Sequence, residues 1–372
     1  RLVRVNWTSG IDPKTGEPAL DPAADISTGP KIVFPATPGA RNWMPGAYDP
    51  VNRLWFGSIQ DMGNLMFVPP GPKDYAPKGL NTDAALIFTP MLKEAMGTLP
   101  PPVRDTVKAL PAWQEVLKNP GGAELRALDP LTGKTIWSVP TAGWQDRGGA
   151  LATAGGIIVQ GNLAGQLRVF DARNGHLIKA IETGTSILAA PMTYSVKGVQ
   201  YIAVMAAWGG GGYPYVPRYA AAYTHANEGR LLVFKLGGRA IVPQPPKLPP
   251  LKVADVPPPQ AAGVTPTTIS QGRALFYTVG CALCHANQAR SITPDLRRMA
   301  PETHKVFDEI VLRGLYVPAG MPRWDDVLKP ADAAAIHAWL IDEQAKTRSE
   351  DQAKIKRHIP LDAPSLAILS NY

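Results

Sequence analysis

"LRALDPLTGKTIWSV" (residues 125–139) and "LRVFDARNGHLIKAI" (residues 167–181) are the same unit written twice. Asp129 matches Asp171 and Gly133 matches Gly175, each pair 42 residues apart. Each unit reads as a strand, a D-x-x-x-G turn and a second strand, because alternating apolar residues stand on both sides of a turn signal. Recurrence near 42 residues is the period of a β-propeller blade. "AYDPVNRLWFGSIQ" offers a third turn at Asp49 and Pro50, and "GGIIVQGNLAG" and "GVQYIAVMAAWGG" are apolar runs punctuated by glycine, as inner strands are. Residues 82–118 break the pattern and read as a helical insertion over one face of the sheets.

The chain has 372 residues with 35 glycines and 39 prolines, and only 18% are charged, which suits many turns and short strands. No apolar run approaches the ~18 residues that span a bilayer, so no transmembrane segment is expected. The net charge is +8, but lysine and arginine are scattered and form no patch. Nucleic acid is therefore excluded as a partner, and the charge suits docking to an acidic redox protein. Between Pro243 and Pro259 lie eight prolines, so residues 239–265 read as a semi-rigid extended linker between two modules.

Beyond the linker the chain holds its only two cysteines, Cys281 and Cys284, followed at once by His285. C-x-x-C-H is the attachment signature for c-type haem, with both thiols bonded to the porphyrin and the histidine axial on iron. Zinc would need further ligands and no other cysteine exists; a redox dithiol would need a βαβ setting, and a helix-like segment leads in here. Methionine is the usual second axial ligand. Met321, between Gly320 and Pro322, is favoured over Met299, which reads as a surface or gap-filling residue. Residues 266–345 are expected to form an all-α cytochrome domain, with caps at Ser270 and Thr303, a stop at Gly314 and a third helix opened by Pro330. His304 and His337 fall in its helical patterns and are read as plain helix residues. Residues 346–372 are a charged, then mildly apolar tail, expected to pack back on the body or stay loose.

Ala127, Asp129, Thr132, Gly133 and Trp137 form an A-x-D-x-x-T-G-x-x-x-W unit that resembles the tryptophan-docking motif of quinoprotein dehydrogenases. With "GARNWMPGAYDP", the proline linker and C-A-L-C-H, the chain resembles the C-terminal part of the quinohaemoprotein alcohol dehydrogenases. That resemblance implies a partial set of blades of an eight-bladed propeller over residues 1–238, with pyrroloquinoline quinone (PQQ) and calcium on its axis. Asn42 and Trp43 then match the pair over the quinone, with the Asn amide as a buried donor and the Trp as a wall against water. Trp208, Gly209 and Gly210 match the glycine-rich edge of the same site. Trp144 stands displaced from the aromatic that relatives place just before the glycine pair found here as Gly148 and Gly149. Eight blades of about 42 residues need about 340 residues, so the catalytic base and the calcium carboxylate are expected upstream of residue 1. Asp49, Asp146 and Asp171 are assigned to turns or surface rather than to the base.

The function implied is periplasmic oxidation of an alcohol through PQQ, with electrons leaving by haem c to a small copper protein, a cytochrome or a quinone. The N-terminal part of the same enzyme is a further expected partner. A lupanine-hydroxylase-like enzyme is the close alternative. A non-enzymatic haem electron carrier with a propeller docking module is the alternative of another class. The chain shows no signal peptide and no initiator methionine, read as processing or truncation.

Overall fold

The computed structural model describes residues 2–68, 85–141, 143–144, 146–209, 216–285 and 289–363. The chain divides between Leu248 and Pro249 into two compact units.

The first unit is built from antiparallel strands. They are β1 (Thr8–Ile11), β2 (Pro18–Leu20), β3 (Lys31–Val33), β4 (Ala47–Asp49), β5 (Leu54–Asp61), β6 (Asn64–Phe67) and β7 (Ala85–Phe88). Three helices follow, α1 (Thr89–Ala95), α2 (Pro101–Ala109) and α3 (Pro111–Lys118). Then come β8 (Gly122–Leu128), β9 (Thr135–Pro140), β10 (Ala150–Ala152), β11 (Ile157–Gly161), β12 (Gln166–Asp171) and β13 (Leu177–Glu182). β14 (Met192–Val196), β15 (Val199–Ala206), the short α4 (Ala221–Thr224) and β16 (Arg230–Lys235) complete it. The strands pair as β1-β2, β3-β6-β7, β4-β5-β8-β9, β10-β11-β12-β13 and β14-β15-β16.

The repeated turns are alike in atomic detail. Gly133 N–H donates to the Asp129 carbonyl and Gly175 N–H to that of Asp171. Each aspartate carboxylate also accepts the amide two residues on, from Leu131 and Arg173. Gly133 and Gly175 have φ of +69° and +73°, which favours glycine there. A further copy, not singled out in the sequence, closes the β1–β2 hairpin: Lys14 N–H and Gly16 N–H return to Asp12 in the same two ways. At Asp49 the glycine position is taken by Arg53, which adopts φ +55°.

Trp137 docks one sheet on the next. Its indole Nε1–H donates to the Ala172 carbonyl at 3.0 Å. A Cβ on Gly175 would stand 2.7 Å from the ring, so only glycine lets the indole lie on that turn. Behind it Leu54, Phe56, Leu125 and Ala127 of one sheet meet Ile158 and Phe170 of the other in a shared core. In the second copy Lys179 stands where Trp137 stands in the first. There the next sheet is held instead by Val159, Leu167, Ile187 and Val204, and by Arg230, which donates to the Thr183 carbonyl and, at 2.5 Å, to Thr185 Oγ1.

The expected insertion is helical from Thr89 on, but Ala85–Phe88 is a strand paired with β6. Its helices do not sit as a separate cover. Leu92, Met96, Val107, Trp113 and Val116 close a core with Ile32, Phe34 and Leu65 of the sheet beside them.

The second unit holds α5 (Pro266–Thr278), α6 (Cys281–Cys284), α7 (Pro301–Lys305), α8 (Phe307–Val311) and α9 (Pro330–Lys356). α5 is capped by Thr265, not Ser270: the Thr265 hydroxyl and Thr268 form a reciprocal capping box, with Pro266 at the first helical position. The expected second helix breaks at Val306 into α7 and α8, and Pro301 rather than a Thr303 cap opens it. Gly314 ends the segment at φ +78°, and Pro330 opens α9 as expected. α9 continues past residue 345 to Lys356, with Asp351 and Lys354 buried. The start of the supposed tail is thus integral to the longest helix, and residues 364–372 lie outside the described residues.

The proline-rich stretch makes hydrogen bonds within each unit. Leu248 N–H donates to the Thr224 carbonyl within the first unit. In the second, Ala254 is buried, its N–H donating to Asp351 and its carbonyl accepting from Arg348. Arg298 reaches the Lys252 carbonyl while making two bonds to Asp351, at 2.7 and 2.8 Å. Among the described residues no helix is long and apolar enough to cross a membrane.

Candidate functional site

α6 is a single turn that begins at Cys281 and ends at Cys284, so the i, i+3 spacing places both sulfurs on one side. Gly280 enters it in the left-handed region, and both thiols are free. Burial pushes the Cys281 thiol up to about 11; Cys284 is exposed.

His285 follows directly, its N–H bonded to the Cys281 carbonyl at 2.9 Å. Its Nδ1 lies 3.0 Å from the Pro294 carbonyl oxygen. A carbonyl only accepts, so Nδ1 carries the hydrogen and the Nε2 lone pair is left to bind a metal. Burial lowers the proton affinity of this imidazole, against the Pro294 carbonyl and the Asp295 carboxylate, which raise it. Thr293 hydroxyl donates to the Cys284 carbonyl, fixing the same loop at its base.

Met321 follows Gly320, whose φ is +93°, and its N–H donates to the Tyr316 carbonyl at 3.1 Å. Its side chain is half-buried against the core that Cys281 and Ala282 also touch. Met299 lies inside that core, as a gap-filling residue does. The flanking segments expose Tyr277, Ile292, Leu315, Tyr316 and Val317. Two free thiols on one turn, an oriented imidazole, a thioether on a neighbouring loop and bare apolar side chains are the donor set and surface that haem c takes.

The residues matched to a quinone site stand otherwise. Asn42, read as a buried donor, is exposed; its Nδ2 donates to the Pro38 carbonyl at 3.0 Å and its Oδ1 accepts from Trp43 N–H at 2.9 Å. Trp43 is 66% exposed. Trp208 is buried, exchanging backbone bonds with the Asn227 amide. Gly209 faces open space, and Gly210 lies outside the described residues. Among the described residues no three His, Cys, Asp or Glu side chains group to hold a metal ion. These residues alone do not enclose a quinone and its calcium.

One sequence assignment changes, that of Asp146. Trp144 is core: it packs on Phe88 at 4.9 Å, and Tyr219 hydroxyl donates to its carbonyl. Asp146 is buried rather than at the surface, and its carboxylate accepts the Leu163 amide at 3.0 Å. Beside it runs a buried polar chain that was not anticipated. Arg168 donates to Gln160, and Gln160 and Ser58 both donate to the Gly148 carbonyl, clamping the Gly148–Gly149 pair. Its signal was a glutamine within the apolar run "IIVQG".

Sheets docked in series, followed by a helical unit with a Cys-x-x-Cys-His turn, define a protein that couples a propeller to a cytochrome. Residues 15–202 match the family model of the glucose/ethanol/alcohol dehydrogenase β-propeller domain, and residues 267–340 match that of cytochrome c oxidase, cbb3-type, subunit III. The chain belongs to the glucose/ethanol/alcohol dehydrogenase β-propeller family. The quinohemoprotein alcohol dehydrogenase ADH IIB of Pseudomonas putida is 32% identical over 344 residues, which are 92% of this chain and 45% of that protein. Lupanine 17-hydroxylase [cytochrome c] of Pseudomonas sp is 32% identical over 375 residues, 95% of this chain and 46% of that protein. The solved structure of quinohemoprotein alcohol dehydrogenase ADHIIG from Pseudomonas putida HK5 superposes with a TM-score of 0.70 at 28% identity, over 94% of this chain and 48% of that one. The chain thus spans about half the length of the relatives it matches. The two matched domains point to PQQ and haem c as cofactors.

Proposed function

We propose that this chain supplies C-terminal blades and the haem domain of an eight-bladed, PQQ-dependent alcohol dehydrogenase that works in the periplasm. The observation that carries the reading is His285, oriented by the Pro294 carbonyl immediately after the two-cysteine turn, in a chain whose preceding unit is a set of docked propeller sheets. When bound, haem supplies a one-electron carrier between the oxidation of alcohol and an external acceptor such as a small copper protein, a cytochrome or a quinone.

The residues of the chain have distinct tasks in this reading. Cys281 and Cys284 tether the macrocycle, so that the carrier cannot dissociate. His285 offers Nε2, and the Pro294 carbonyl prevents the ring from turning its other nitrogen to the metal. Met321 offers a soft thioether that favours the reduced metal. Asn42, Trp43, Trp208, Gly209 and Gly210 would line the quinone together with residues from the remainder of the enzyme, which would also hold calcium and the catalytic base.

The test is to purify the chain as it stands, add PQQ and calcium, and assay with a dye acceptor. A covalent haem and no steady alcohol-dependent dye reduction are expected, with turnover restored only by an N-terminal part of the family. Sustained turnover by the chain alone would place the base within it and overturn the division of labour. Absence of covalent haem from a host that attaches it to other proteins would overturn the haem assignment.

A further inference from the structure

The loop beside the two-cysteine turn meets it with consecutive residues. The Thr293 hydroxyl donates to the Cys284 carbonyl, and the Pro294 carbonyl accepts from His285 Nδ1 at 3.0 Å. Asp295 comes next, its side chain only 6% exposed. The Pro294 carbonyl belongs to the planar peptide that joins Pro294 to Asp295, so whatever fixes Asp295 also fixes the acceptor on the imidazole.

Asp295 is held more firmly than its local role requires. It caps the single turn Leu296–Arg298, where its Oδ1 accepts the Arg297 amide at 3.0 Å. An asparagine oxygen would cap as well. The carboxylate also takes the Arg297 side chain bidentately, Nε to Oδ1 at 2.9 Å and an NH2 group to Oδ2 at 3.0 Å. Arg298 Nε stands 3.4 Å from Oδ2, while its terminal nitrogens hold Asp351 of α9 at 2.7 and 2.8 Å. Two carboxylates and two guanidiniums thus form one group whose charges sum to zero. Burial lowers the proton affinity of His285, and the Pro294 carbonyl and Asp295 carboxylate raise it, so the Asp295 charge is felt at the ring.

On the haem assignment proposed above, we infer that Asp295 is a positioning residue for His285 that lowers the reduction potential of the metal. It does so in two ways of the same sign. By seating the Pro294 carbonyl on Nδ1–H it keeps electron density on Nε2 and makes the ligand more basic, which favours the oxidised metal. Its own negative charge also favours the oxidised metal, which carries one more positive charge than the reduced one, and the arginines offset that effect. Loss of the Asp295 charge leaves the group at one net positive charge; loss of Arg297 leaves it at one net negative charge.

The experiment uses the whole haem-loaded chain and reads the potential by spectroelectrochemical titration. In Asp295→Asn, which keeps the cap, the potential should rise. At the wild-type midpoint the oxidised-to-reduced ratio should fall roughly tenfold, about 59 mV for one electron. In Arg297→Gln the potential should fall. Loosening the loop would move both variants the same way, so opposite shifts are the signature of the charge. In the reduced Asp295→Asn chain with 15N-labelled histidine, the Nδ1 hydrogen of His285 should exchange with solvent faster than in the wild type. An unchanged or lowered potential in Asp295→Asn, or an unchanged exchange rate, overturns the inference alone. So does an unchanged or raised potential in Arg297→Gln, which decides the matter if the aspartate variant does not fold. A wild-type chain that attaches no haem overturns the haem assignment and this inference with it.

Discussion

Replacing Gly272 with alanine sets two physical arguments against each other, and the structure decides the sign. Gly272 lies in the middle of α5, where alanine is favoured over glycine by about 1 kcal/mol on helix propensity alone. The residue is, however, the point where α5 crosses α9. A Cβ there would stand 1.9 Å from the Ala335 carbonyl oxygen, 2.4 Å from its carbon and 2.9 Å from Ile336 N. Ordinary non-bonded contact is about 3.5 Å, so α9 would have to retreat by roughly 1.5 Å. All three atoms are backbone of a 27-residue helix and cannot rotate aside. Overpacking costs about 1–3 kcal/mol, and a clash with rigid backbone belongs at the upper end. The net expectation is destabilisation of the helical unit by about 2 kcal/mol, a fall in its melting temperature of roughly 8 °C or more. Scanning calorimetry of the haem-loaded chain reads it. Gly229→Ala, where the added methyl meets open space, should stay within about 0.5 kcal/mol. An unchanged or higher melting temperature for Gly272→Ala would refute the packing argument.

Met321→Ala should abolish the methionine-to-iron absorption band and lower the reduction potential. Met299→Ala should keep the band and cost about 2–5 kcal/mol of stability as a core cavity; the reverse pattern in optical spectra would reassign the ligand. Trp137→Phe removes the donor to the buried Ala172 carbonyl, so the propeller unit should lose about 1–3 kcal/mol, seen as a lower urea midpoint. Asp351→Asn breaks a pair whose carboxylate is almost wholly buried, so a loss of about 3 kcal/mol is expected. Hydrogen exchange at the Ala254 amide, which donates to that carboxylate, should accelerate with it.

What was legible in the sequence was held together over short distances along the chain. A D-x-x-x-G turn needs only the aspartate, two amides close behind it and a glycine that accepts positive φ, and these are consecutive letters. The Cys281–Cys284–His285 turn is legible for the same reason. Asp12 could have been found by the same rule, and Asp49 shows its slack, since Arg53 bends where glycine would. Thr265 and Ser270 were equally good caps as residue types; the proline at 266 was the cue that α5 starts there. Long-range partners left no such mark. Asp255 and Gln344 are 89 residues apart, and Arg298 and Asp351 are 53 apart; nothing near either member announces the other.

The proline-rich stretch at residues 239–265 shows what local chemistry makes legible in a sequence and what it leaves to distant partners. Proline removes backbone donors and stiffens the chain, so eight of them within residues 243–259 argue for an extended stretch that joins no sheet. That much holds. But proline leaves every carbonyl in place as an acceptor, and an extended chain presents those carbonyls in sequence to whatever donors lie beside it. Arg290 takes Pro249, Arg298 takes Lys252, Arg348 takes Ala254 and Gln344 takes Asp255. All four donors are long polar side chains; the three arginines are cationic, and the arginine bonds to neutral carbonyls are stronger than amide bonds of the same geometry. Composition identifies a segment with few donors of its own. Whether it is a spacer or a strap depends on the donors of another element, and here α9 and the loop before α7 supply them.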